Sequence, residues 1–162
     1  MKSWSEMSFL LYIMKLLLFL SIIYIPQQII HEIGHAIACQ ALGGKVLKHY
    51  FSLKGAFITC ELPRNTIILT TFRFSGGLFA FAVLYLIFTR LEYFSIEIKT
   101  ITLTYSYGNL FLAFLEGGFY DFYSLHLSLS NLLILPAFFI AVYTLKNEYY
   151  KATKKNVDNI GK

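Results

Sequence analysis

Residues 8 to 25 read SFLLYIMKLLLFLSIIYI, an apolar run interrupted only by Lys15. After Pro26, Gln27 and Gln28 the apolar character resumes in IIHEIGHAIACQAL, residues 29 to 42. A helix crossing a bilayer needs about 20 apolar residues, so the stretch exceeds one straight span. The pattern predicts one long helix kinked at Pro26, whose ring removes a hydrogen bond and crowds the preceding turn. A secretory signal is the competing reading: Lys2 and the apolar core fit it, but Tyr24-Ile25-Pro26-Gln27-Gln28 lacks the small residues of a cleavage site. Gly43 and Gly44 then stop the helix.

Composition supports a membrane setting. Of 162 residues 57% are hydrophobic and only 14% charged, with a mean hydropathy of +0.60. Globular chains carry roughly a quarter charged residues, so this deficit excludes a disordered chain and an ordinary soluble enzyme. The net charge of +5 would suit nucleic acid, but no basic residue lies between Lys99 and Lys146. The others are scattered or sit at segment ends, as anchors at lipid headgroups do, and nucleic-acid binding is excluded. Trp4 and the many tyrosines fit the same interfacial role. Cys39 and Cys60, both in apolar surroundings, do not make a disulfide framework, and Cys39 reads as a small buried thiol.

Past the glycines, residues 46 to 62 (VLKHYFSLKGAFITCEL) are rich in β-branched and aromatic residues, with Lys54-Gly55 placed for a turn. Two short strands in a hairpin are expected, with Leu47, His49, Phe51 and Leu53 sharing one face. A second apolar helix covers 66 to 89, carries Gly76-Gly77 and ends at Arg90. Its glycines would let another backbone approach closely, and Arg73 would snorkel to the interface. Further apolar segments run from 97 to 116 and from 125 to 145, the latter containing Pro136. The expected fold is an α-helical, multi-pass integral membrane protein with about four transmembrane helices and a short β-hairpin after the first. Residues 1–145 form one membrane-embedded domain, and 146–162 a polar, Lys-rich tail. Orientation stays open: four spans separate the hairpin (Lys45, Lys48, Lys54, Arg64) from the tail, yet both are basic, so the positive-inside rule votes both ways.

The chemistry is concentrated in His31-Glu32-Ile33-Gly34-His35. On a helix, residues four apart share a face, so both imidazoles can reach one metal ion. Neutral imidazole suits zinc, whose catalytic sites take three protein ligands and leave a position for water. Glu32 would sit beside that water as the general base. Ionisable groups are costly within a membrane helix and mark function there. Asp121 and Glu116 are the only acids between Lys99 and Glu148, so both are candidates for the third ligand, with His49 and His126 behind them.

HEIGHA resembles the motif of the site-2 protease family of intramembrane zinc metalloproteases. The likeness continues in outline through residues 29 to 122: GGKVLKHYFSLKGAFITCEL resembles the family's membrane-associated β-region, and FSGGLFAF stands where the family has a small-residue motif. The family's third ligand is an Asp in a later transmembrane helix, which implies Asp121, although here Phe122 follows it instead of Gly. Asn109 loosely resembles the family's polar helper near the scissile carbonyl, and a helix–helix hydrogen bond is its other reading. The resemblance implies a minimal or divergent member in the cell membrane: Zn2+ on His31, His35 and Asp121, Glu32 as catalytic base, and membrane-protein substrates whose transmembrane segment unwinds before cleavage. Two other functions remain in view: a non-catalytic membrane scaffold or regulator that keeps the metal motif, and a metal-dependent hydrolase of lipids or small amphiphiles.

Overall fold

A computed structural model describes residues 6–52, 55–91, 93–125 and 131–160. Trp4, Lys54 of the expected turn and His126 lie outside them. The chain is mostly helical. Helix α1 spans Glu6–Ala41, a hairpin of β1 (Lys45–Ser52) and β2 (Gly55–Glu61) follows, and then α2 (Thr66–Arg90) and α3 (Ile96–Gly118). A short α4 (Tyr120–Leu125), a 3-10 turn at Asn131–Leu133 and α5 (Ile134–Ile160) follow among the described residues.

Helix α1 is 36 residues long and passes through Pro26 without interruption. It ends at Gly43, whose φ of 75° only glycine adopts without cost, and Gly44 N–H donates to the Cys39 carbonyl at 2.8 Å. Asn65 caps α2, its side chain accepting from the Ile67 and Ile68 amides at 2.8 and 3.3 Å. Two helical stretches, Met14–Ala41 and Thr66–Arg90, are long and apolar enough to cross a membrane.

Only part of the expected fourth apolar segment, 125–145, lies among the described residues: a 3-10 turn at Asn131–Leu133 leads into α5 at Ile134, which puts Pro136 in the first turn, where backbone amides have no helical partner to lose. Its apolar part, Ile134–Asn147, is shorter than a span, and the helix continues through the Lys-rich tail to Ile160.

The strands pair antiparallel, His49 opposite Ile58 and Tyr50 opposite Phe57, with an irregularity between Val46 and Lys48. That extra residue breaks the expected alternation of faces. Leu47, Tyr50, Phe51 and Phe57 are all exposed, so the hairpin buries no clean apolar face. A second departure is covalent. Cys39 and Cys60 form a disulfide, Cα atoms 6.1 Å apart, that joins the end of α1 to β2. Cys39 is therefore not the buried thiol that its apolar surroundings suggest; the glycine turn folds β2 back over α1 and brings Cys60 to it.

Helix α3 is the enclosed element, packed against α1, α2 and α5. Leu84, Ile101 and Tyr105 form one core cluster, with Leu16, Phe19 and Ile134 against it; Phe88, Leu103 and Ala141 form another. The buried hydroxyls of α3 are satisfied locally or across helices. Thr100, Thr102 and Thr104 donate to carbonyls one turn back at 2.7, 2.8 and 2.7 Å. Tyr105 donates to the Leu20 carbonyl and Ser106 to the Phe81 carbonyl, each at 3.0 Å. A polar helix is thereby buried without orphaned hydroxyls. Close packing of α2 on α3 depends on Gly77, whose added Cβ would overlap the Asn109 carbonyl and meet Ala113 at 2.7 Å.

Candidate metal centre

The site lies where α1, α2 and α3 meet, with the hairpin over it. His31 and His35, one turn apart on α1, have ring centroids 4.9 Å apart. Opposite them stands Glu116, from the last turn of α3. Its Oε2 is 3.4 Å from His31 Nε2 and 3.7 Å from His35 Nε2. One ligand atom from each of the three residues lies within 4.8 Å of the others, a spacing that fits a single ion.

The hydrogen bonds behind the imidazoles decide their tautomers. His35 Nδ1 lies 3.0 Å from the Phe72 carbonyl, which can only accept, so Nδ1 carries the proton. His31 Nδ1 lies 2.9 Å from Asn109 Oδ1. The Asn109 amide is oriented by its own donors, which reach Gln27 Oε1 and the Tyr105 carbonyl, both at 2.8 Å. Its oxygen therefore accepts, and His31 is protonated at Nδ1 as well. Both Nε2 lone pairs then converge on a carboxylate oxygen. Glu116 Oε2 is itself buried and has no hydrogen-bond partner. Three acceptors face one another with no donor among them, an arrangement that is costly unless a cation occupies the centre. The outer carbonyl and carboxamide partners are those that orient metal-binding histidines. The donor set of two imidazoles and one carboxylate fits zinc, as well as other divalent ions of the first transition row.

The α2 glycines make room for the ring. A Cβ on Gly76 would collide with the His35 imidazole, and one on Gly34 would meet the Phe79 Cβ at 2.6 Å. Glu32 is buried beside both histidines and Glu116, with the Ile58 backbone amide of β2 next to its carboxylate.

The third acid differs from the expected one. Asp121 is exposed on α4, outside the cluster, and Glu116 is the acid that meets the two imidazoles. The physical reason is register. Glu116 lies seven residues after Asn109, so both project from one face of α3 toward His31. Asp121 comes after the helix has ended at Gly118, in a separate short element. His49 is exposed on β1, away from the cluster.

Three residues acquire roles that periodicity did not suggest. Gln27 is buried behind Asn109 and extends the chain of carboxamides from His31. Arg73 places its guanidinium 3.5 Å from the Tyr120 ring centroid, tying α2 to α4. Tyr123 on α4 packs toward the same carboxylates, and burial, with Glu116 beside it, pushes its phenol above the ordinary range. A polar residue pair in an apolar helix was the available signal for Gln27; nothing in the sequence marked Tyr123.

Compared with family models, with curated proteins and with solved structures, the chain matches none.

Proposed function

We propose that the chain is a zinc-dependent, site-2-protease-like intramembrane endopeptidase, with His31, His35 and Glu116 holding the metal. The observation that carries this reading is the convergence of two Nε2 lone pairs and an unpartnered buried carboxylate oxygen beside a second carboxylate, Glu32. A zinc ion held there supplies Lewis acidity, polarising a carbonyl and making water acidic enough to lose a proton near neutral pH.

The chain's own groups do the rest. Asn109 and the Phe72 carbonyl hold the imidazoles in the tautomer that leaves Nε2 free. Glu32 takes the proton from the attacking water and returns it to the leaving nitrogen. Enclosure by α1, α2 and α3 keeps bulk water away and strengthens each electrostatic contact. A substrate helix hides its carbonyls in its own hydrogen bonds and must open locally before cleavage. The exposed hairpin supports a peptide substrate, because an extended segment can pair with a free strand edge. A cavity of about 280 Å³ lies behind Asn109, where Tyr24, Gln27, Gln28 and Tyr105 meet the apolar side chains of Leu112, Leu133 and Ile134.

The test is Glu32→Gln in the purified, zinc-loaded protein. Metal content equal to wild type with cleavage of a co-expressed membrane substrate abolished supports the mechanism. Cleavage that persists overturns it.

A further inference from the structure

The two ends of the helix bundle differ in chemistry. One end carries the Cys39–Cys60 disulfide, between the last turn of α1 and β2, with His35 and His31 about 6 and 12 Å below Cys39 along the helix. Disulfides form and persist in oxidising compartments and are rare where glutathione and thioredoxin keep thiols reduced. The other end is built from the start of α1, the end of α2, the start of α3 and the second half of α5. Their adjacency follows from packing: Leu16 and Phe19 lie against Leu84 and Ile101, and Leu145 lies against the cluster of Phe88 and Leu103. Lys15, Arg90, Lys99 and Lys146 belong to that end, and Lys151, Lys154 and Lys155 follow along the last turns of α5. Lys15 is close enough to Glu97 to influence its charge.

The positive-inside rule alone is indecisive, since Lys45, Lys48 and Arg64 lie at the hairpin end. The disulfide breaks the tie. We propose that the hairpin end, and with it the His31–His35–Glu116 cluster, lies toward the oxidising face of the membrane, and that the Lys-rich end faces the reducing cytoplasm. The basic end then meets the anionic inner leaflet, whose surface potential attracts Lys and Arg. Taken with the proposed protease function, on which this consequence rests, the substrates are membrane proteins whose labile segment lies in the outer half of the bilayer.

The orientation is tested on the full chain in a bacterial inner membrane, with no metal or cleavage readout. Green fluorescent protein fused after Lys162 should fluoresce, and alkaline phosphatase fused there should be inactive. Membranes denatured in a maleimide-polymer reagent should give untagged protein, shifting by two tags only after reduction. In a Cys39→Ala, Cys60→Ala background, Lys48→Cys should react with an impermeant maleimide in intact cells about tenfold more than Lys146→Cys. Active phosphatase after Lys162, two thiols free before reduction, or the reverse labelling ratio would each overturn the orientation. A catalytically dead protein with the expected topology refutes only the protease reading, and an active protease with reversed topology refutes only this one.

Discussion

The two halves of the candidate metal centre are built by opposite means. On α1, His31, Glu32 and His35 fall within five consecutive positions, and helical geometry alone puts both imidazoles on one face. On α3, Asn109 and Glu116 stand two turns apart, and each matters only because α3 packs against α1 at one height and rotation. The first half is local and survives any small shift of the bundle. The second half is tertiary: a rotation of α3 by one residue, about 100°, would swing Glu116 out of the site. Between them stands α2, whose contribution is an absence of side chain at Gly76, where His35 needs the space.

That contrast can be broken by substitution. The largest effect is expected for Glu116→Gln, which removes the one charged ligand from the α3 side. Zinc affinity, measured by competition with a chromogenic chelator, should fall beyond the 10–100-fold typical of outer partners. An unchanged affinity would show that α1 binds the ion without α3. Next comes Gly76→Ala. Its methyl would force His35 or the α1–α2 contact apart, costing about 1–3 kcal/mol of stability. Thermal unfolding in detergent and zinc content should drop together; a wild-type Tm would mean that α1 and α2 do not meet as closely as described.

Asn109→Ala removes the acceptor that holds the His31 tautomer while leaving every ligand in place. A loss of roughly 10–100-fold in zinc affinity is expected. Gln27→Leu acts one bond further out, with an expected loss of less than about tenfold, since it only frees one donor of Asn109. Asp121→Asn should be silent in zinc content, because Asp121 is exposed on α4 away from the cluster. Loss of metal in that variant would return Asp121 to the ligand set at the expense of Glu116.

Much of the local structure was legible. The apolar run of α1, its glycine stop, the hairpin and the extents of α2 and α3 all follow from patterns that neighbouring residues impose. Where reading failed, the deciding partner lay far along the chain. Arg73 finds its Tyr120 partner only because α4 is brought beside α2. Cys39 and Cys60 look like isolated thiols until the hairpin folds back on α1. Within the apolar segment 125–145, hydropathy does not register that a 3-10 turn at Asn131–Leu133 precedes the helix starting at Ile134.

By itself the sequence determined that the chain is apolar and charge-poor, that it carries long apolar helical segments, and that two histidines one turn apart can share an ion. These properties depend on composition and on the helical repeat, which are local. Only the tertiary structure decided which acid completes the cluster, how each imidazole is turned, and that the two cysteines join. Each depends on the height and rotation of one helix against another. No periodicity within a single segment encodes that relation.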